Sequence, residues 1–306
     1  MGEDWELNHV GLMVTSRNKA LRYFQSIGVG VSVGPQPLLP HEPGEGSLMF
    51  YKTLEGDPVT NTYQTGGAHT FNDGESQIGD CQLECIGMKP GPGMFINEYL
   101  EKKGPGINHI CFNSPSVEED TQILLGRGFD LTFNALVNGK TVENYFDTRL
   151  HGDLMLSLRP PPTDWERSWK ANNEAHPLVS DWAFKGVGIG VQDLDSTIDY
   201  YAGIGFQDVS DEVVDSTLGV RSRSVKVGPL DFSFSQPLVD ASICSDSLAK
   251  RGDGVNDLSF SVASLLEERG KLESKGVELL MESQDGRSAF FDTRLEGNIM
   301  IRLDQQ

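Results

Sequence analysis

"INHICFNSPSVEEDTQILLGRGF", residues 107–129, decides the fold, because the chain repeats its pattern four times. The other copies are "LNHVGLMVTSRNKALRYFQSIGV" at 7–29, "FKGVGIGVQDLDSTIDYYAGIGF" at 184–206 and "VNDLSFSVASLLEERGKLESKGV" at 255–277. All four align without a gap. Each opens with alternating residues, the period-two mark of a half-buried strand, and continues into a helix-like stretch. Each closes on a glycine followed by an apolar residue: Gly28, Gly128, Gly205 and Gly276. Glycine just past the last helical turn supplies the left-handed conformation that a helix end needs. One apolar helix position recurs as Phe24, Leu124, Tyr201 and Leu272.

A second element recurs farther along. "YFDTRLHGDLMLSL" at 145–158 and "FFDTRLEGNIMIRL" at 290–303 share eight of fourteen residues. The Asp-Thr-Arg stretch, with a glycine three residues later, reads as a turn that feeds a last strand and fixes hairpin register. Units two and four are therefore closest kin, and the chain reads as a duplicated pair of units. The proline-rich, polar stretch "RPPPTDWERSWKANNEAHPL" at 159–178 marks a linker. The expected division is residues 1–160, a linker at 161–179, and residues 180–306. Room remains for about three more strands after each helix. "LTFNALV", "VENYFDT" and "DLMLSL" fill it in unit two, whereas "PQPLLPHEPGEGS" and "EGDPVTNTYQTGGAHTFNDGESQ" in unit one read as long loops.

Alternation assigns sides to the opening strands. One face carries Val10, Leu12 and Val14, or Ile110 and Phe112, and must meet the helices. The other carries His9, Gly11 and Met13, or His109, Cys111 and Asn113, and is small and polar. In units three and four that second face reads Gly186, Gly188, Gly190 and Asp257, Ser259, Ser261. Helices on one face and small polar residues on the other make a curved, open sheet able to hold a ligand.

The chain carries 45 acidic against 25 basic residues, a net charge of −20. Such a surface repels phosphate backbones and anionic lipid, which argues against nucleic-acid and membrane partners. No apolar run approaches the ~20 residues that span a bilayer. "MGEDWELNHV" has neither the basic start nor the apolar core of a signal peptide, and it lacks a myristoylation pattern. Cys81 and Cys85 fall in one strand, roughly 13 Å apart at ~3.3 Å per residue, too far to pair locally. With no C-x-x-C among Cys81, Cys85, Cys111 and Cys244, four reduced thiols in a cytoplasmic protein are expected.

Paired βαβββ units with a histidine third in the first strand resemble the vicinal oxygen chelate superfamily, which includes glyoxalase I, extradiol dioxygenases, bleomycin-resistance proteins and methylmalonyl-CoA epimerase. "CQLECIGMKPGPGMFINEYLEKKGPGINHICF", residues 81–112, is most similar to the epimerase. The resemblance implies an α+β fold: four βαβββ modules arranged as two paired-module, glyoxalase-like domains with curved open sheets. It implies one metal site per pair of modules, built from a residue of each first strand and each last strand. Carried over, His9, Glu84 and His109 match, while Ser157 stands at the fourth place, where a glutamate is expected. The second-half places read Gly186, Ser233, Asp257 and Arg302, which would not hold a divalent ion. Asp257 and Arg302 are expected to pair across that cup.

A lone strand histidine is usually a hydrogen-bonded structural residue. Two at one repeat position, with a carboxylate at the third place, favour a divalent ion: Zn, Fe, Co, Ni or Mn, since ligand type does not choose among them. The catalytic candidates are Glu84, Glu143, Tyr145 and His69, with Glu75 a further possible base. Expected partners are a small-molecule substrate and a second copy of the chain in a homodimer. The expected activity is that of a metal-dependent isomerase, epimerase or lyase working through an enediolate, with residues 35–79 closing over the substrate. An Fe(II)-dependent dioxygenase and a non-catalytic binding protein are the alternatives.

Overall fold

The structure, a computed structural model, describes residues 2–33, 48–52, 58–62, 73–87, 95–137 and 139–306. Module one comprises β1 (Glu6–Val14), α1 (Arg17–Ser26), β2 (Val31–Val33), β3 (Leu48–Lys52), β4 (Pro58–Thr62), β5 (Asp73–Ile78) and β6 (Cys81–Gly87). A short helix, α2 (Phe95–Lys103), leads to module two: β7 (Gly106–Asn113), α3 (Val117–Gly126), β8 (Asp130–Val137), β9 (Lys140–Asp147) and β10 (Met155–Arg159). After α4 (Asp164–Glu174), module three runs β11 (Ala183–Gly190), α5 (Leu194–Gly203), β12 (Val213–Asp215), β13 (Val220–Val227) and β14 (Leu230–Pro237). Then α6 (Ser245–Arg251) precedes module four: β15 (Gly254–Val262), α7 (Leu265–Ser274), β16 (Leu279–Glu282), β17 (Ser288–Phe291), α8 (Arg294–Gly297) and β18 (Met300–Gln305).

Modules one and two share a ten-stranded sheet, β2-β5-β6-β1-β7-β10-β9-β8-β3-β4, and modules three and four an eight-stranded one, β12-β13-β14-β11-β15-β18-β17-β16. The two opening strands of each pair lie antiparallel at the centre, β1 beside β7 and β11 beside β15. Each closing strand runs parallel to its own opening strand. The residues expected to line a cup are thereby brought onto four adjacent central strands of each sheet.

The repeated helix end has one physical form. Gly28, Gly128, Gly205 and Gly276 all take positive φ, between 74° and 111°. In each module the next residue's N–H reaches back to the carbonyl of the recurring apolar position: Val29 to Phe24, Phe129 to Leu124, Phe206 to Tyr201, Val277 to Leu272. That bond satisfies a terminal helix carbonyl and turns the chain toward the next strand. The four apolar residues are fully or almost fully buried. They belong to a single apolar cluster that takes the helix-side faces of both sheets, joined at points such as Trp5 against Phe112 and Phe206. Each cup face has its own smaller apolar cluster.

The first Asp-Thr-Arg stretch leads into a turn, as read, whereas in the second Arg294 begins the short helix α8. Arg149 donates from Nε and Nη2 to Asp147, and Arg294 does the same to Asp292. The threonine hydroxyls donate to the carbonyls of Leu154 and Ile299. Thr293 is fully buried. Thr293→Val strands the Ile299 carbonyl and is expected to cost about 1–3 kcal/mol, read as a lowered denaturant midpoint at unchanged slope.

Two expectations change. The linker stretch is largely helical: Thr163 and Glu166 form a reciprocal capping box that starts α4. Lys170 of that helix donates to the carbonyls of Leu7 and Asn8, docking it on β1. Part of module one's long loops is strand, with β3 and β4 pairing as a hairpin that extends the sheet beside β8. The rest of the proposed closing segment, residues 35–47, 53–57 and 63–72, lies outside the described residues, as does His69. All four cysteines are buried and free. Among the described residues no helix is long and apolar enough to cross a membrane.

Candidate metal centre

β1, β6 and β7 bring His9, Glu84 and His109 together in the first cup. Gly11 pairs with Glu84 across β1–β6 and with His109 across β1–β7. A Cβ on Gly11 would fall on the His109 imidazole, so the missing side chain is what admits the ring. His9 Nε2 lies 3.0 Å from His109 Nε2 and 3.1 Å from Glu84 Oε2, and His109 Nε2 lies 3.9 Å from Glu84 Oε2. All three residues are buried.

The other imidazole nitrogens are fixed by asparagines. His9 Nδ1 is 2.7 Å from Asn8 Oδ1, and His109 Nδ1 is 2.8 Å from Asn108 Oδ1. The β1–β7 register skips Asn8 on one strand and Asn108 on the other, so both occupy β-bulges. A bulge frees a side chain from the ladder and re-aims it. Here it lets each asparagine reach the histidine beside it. Asn8 donates its own amide to Asn113 Oδ1 at 2.8 Å, which leaves its oxygen for His9. Buried Arg159 adds a contact to the same oxygen at 3.4 Å.

With each Nδ1–H donated to an amide oxygen, both Nε2 atoms carry lone pairs. Three acceptors then converge on one point: two imidazole nitrogens and a carboxylate oxygen. Only a cation, proton or metal, resolves that convergence. Burial, then the neighbouring His9, hold the His109 imidazolium down to a pKa of about 3, against the pull of Glu84. A neutral imidazole is what a metal needs. Ligand atoms ~2.0–2.1 Å from one ion lie roughly 2.9–3.4 Å apart. Two of the three separations fall in that range, and a small turn of the Glu84 side chain closes the third.

Ser157 occupies the fourth place, and it leads to a carboxylate. Its hydroxyl donates to Glu143 Oε1 at 2.8 Å and lies 3.4 Å from Cys111 Sγ. Glu143 sits on β9, beside β10, and one of its oxygens lies within 4.8 Å of ligand atoms of His9 and Cys111. Tyr145, two residues on, donates its hydroxyl to Glu143, and that oxygen lies 3.2 Å from His109 Nε2. Burial, then the charge of Glu143, push Tyr145 well up, so it stays a protonated donor. Burial likewise raises the Cys111 thiol, which makes it an inert neighbour. Glu75 faces Glu84 from β5 and is buried.

The cup is less uniformly polar than the alternation suggests. Met13, Ile86, Tyr99, Phe133 and Met155 form an apolar wall beside the ligand set. Sequence reading missed Asn8, Asn108 and Arg159, although the repeated Asn-His dipeptide was the available signal for the first two.

Residues 8–146 match the model of the Glyoxalase/Bleomycin resistance protein/Dioxygenase superfamily. That match lies within the N-terminal half of the chain. No curated protein matches the sequence significantly. Across 98% of this chain and 92% of the other, the fold is similar to a mutant of 4-hydroxymandelate synthase from Streptomyces coelicolor, with a TM-score of 0.65 at 13% identity. That likeness is one of fold alone, and it spans both halves of the chain. Methylmalonyl-CoA epimerase from Mycobacterium tuberculosis is 26% identical over 40% of this chain and 87% of its own, with a TM-score of 0.36. The hypothetical protein BH1468 from Bacillus halodurans is 18% identical over 42% of this chain and 96% of its own, with a TM-score of 0.37.

In the second half the superfamily's ligand places hold no metal-type set. Among the described residues, both groupings of metal-ligating side chains lie in the first cup. The expected Asp257–Arg302 pair is not made. Arg302 instead donates to Ser259 Oγ at 3.1 Å and Asp304 Oδ2 at 3.2 Å. Asp304 lies two residues along the same strand and wins because its carboxylate also collects Ser259, Ser288 and Lys185.

Proposed function

We propose that the chain is a metal-dependent isomerase, epimerase or lyase acting on a small carbonyl or carboxylate substrate that chelates through two oxygens. The observation that carries this is the convergence of His9 Nε2, His109 Nε2 and Glu84 Oε2, with the carboxylate of Glu143 beside them. A divalent ion held by His9, Glu84 and His109 would act as a Lewis acid for an enediolate-like intermediate. The chain's own residues supply the rest. Glu143 serves as the base that removes and returns the substrate proton, held for that work by Ser157 and Tyr145. The Met13–Phe133–Met155 wall excludes water from the reacting face. Glutamate is thus proposed to act from β9, whereas the superfamily pattern places it on β10, where this chain has Ser157.

The direct test is deuterium uptake from solvent into candidate 2-oxo acids or acyl-thioesters by the metal-loaded chain. Exchange that needs both metal and Glu143 supports the reading, and no exchange with any of them defeats it. Two histidines and one carboxylate also form the ligand set of Fe(II) oxygenases. Oxygen consumption by the ferrous protein, without deuterium exchange, would select that second reading.

The asparagines give a separate expectation. Asn108→Leu removes the acceptor for His109 Nδ1–H and frees the ring to turn. Loss of such an outer partner is expected to weaken metal binding roughly 10–100-fold. Competition against a chromophoric chelator measures it.

A further inference from the structure

The second sheet also forms a cup, with a cavity of about 530 Å³ that the metal reading does not use. Asp257 stands there as His109 stands in the first half. Gly188 faces it across β11–β15 as Gly11 faces His109, and a Cβ on Gly188 would fall on the Asp257 carboxylate. The bulge recurs too, with Asn256 skipped in the register as Asn108 is. The repeat has therefore kept its device for bringing a side chain into the cup while changing an imidazole to a carboxylate.

Asp257 is 5% exposed, lines the cavity, and its Oδ1 has no hydrogen-bond partner. Buried carboxylate oxygens are normally satisfied. Arg302 is committed to Ser259 and Asp304. Burial raises Asp257 to about 6, with Arg302 opposing and Asp304 adding to the rise. The cavity wall carries three carboxylates, Asp215, Asp257 and Asp285, against the one guanidinium of Arg302. The remaining wall includes Leu218, Val220, Phe290 and Met300, which cluster together. Excess negative charge at an unpartnered acceptor, beside an apolar surface, fits a ligand with a cationic donor at one end and a hydrocarbon body.

We propose that the C-terminal cup is a second, metal-independent binding site for a small organic amine, whose ammonium group donates to Asp257 and whose apolar body lies against Leu218, Phe290 and Met300. A neutral alcohol would satisfy the acceptor without answering the charge, and a carboxylic acid would be repelled.

Saturation-transfer NMR titrations of the full chain with benzylamine, benzyl alcohol and benzoate test this. Benzylamine is expected to bind saturably, more tightly than benzyl alcohol, equally with and without EDTA, and benzoate not at all. Asp257→Asn, nearly isosteric, should weaken benzylamine by at least about 10-fold, as expected for loss of a charge-assisted hydrogen bond. Ser235→Leu, which fills the cup without replacing the carboxylate, should remove binding by bulk. Absence of saturable benzylamine binding overturns the proposal. So does benzylamine binding that survives Asp257→Asn or Ser235→Leu unchanged, or that is matched by benzyl alcohol.

Discussion

His109→Ala abolishes stoichiometric metal binding and leaves the chain folded: that is the expected result with the largest effect. The variant removes one of three converging donors, so its cost should exceed the roughly 10–100-fold that loss of an outer partner carries. Folding should survive, because the ring sits on the cup side, outside the apolar cluster that joins the two sheets. In the metal-free state the substitution even removes one of two nitrogen lone pairs that face each other at 3.0 Å. Linkage supplies the measurement. An ion at a thousand times its dissociation constant stabilises the native state by about 4 kcal/mol. The wild-type melting temperature should rise on loading with Zn or Co and fall back with EDTA. His109→Ala should melt at one temperature under both conditions, and elemental analysis should find no bound ion. Equal metal content in the two proteins would remove the site from consideration.

Glu143→Gln separates chemistry from metal binding. The amide still accepts from Ser157 and Tyr145, so the shape of the site is kept. It cannot take a proton from substrate. General-base loss typically costs 10²–10⁴-fold, and deuterium exchange should fall by about that much. Metal affinity should change little. If the ion is lost together with activity, Glu143 is a ligand, and the base lies elsewhere in the cup.

Much of this architecture was legible from periodicity. The four ungapped repeats placed strand, helix and closing glycine, and alternation separated Val10, Leu12 and Val14 from His9 and Gly11. Those signals are local and survive in a single sequence. The ligand set was reached through resemblance, since nothing local ties Glu84 to two histidines in other strands. What stayed hidden depends on register between strands. The bulges that free Asn8 and Asn108 arise only when β1 meets β7, and sequence order cannot show which residue is skipped. Glu143 was proposed for its nearness, but its link to Ser157 runs diagonally across β9 and β10. The α4 helix went unread within the linker because three prolines outweighed the Thr163–Glu166 box that follows them. The β3–β4 hairpin was missed because its partner strand, β8, belongs to the next module.

The single interior shared by both sheets has a consequence for how such a chain can change. Neither half can be cut away at residue 160 without exposing Trp5, Phe112 and Phe206 to water, so selection must retain both as structure even when only one performs chemistry. A half relieved of catalysis, yet bound to remain folded, can trade the contents of its cup freely. Gly186, Ser233, Asp257 and Arg302 in the second cup are contents that such a tethered duplicate permits.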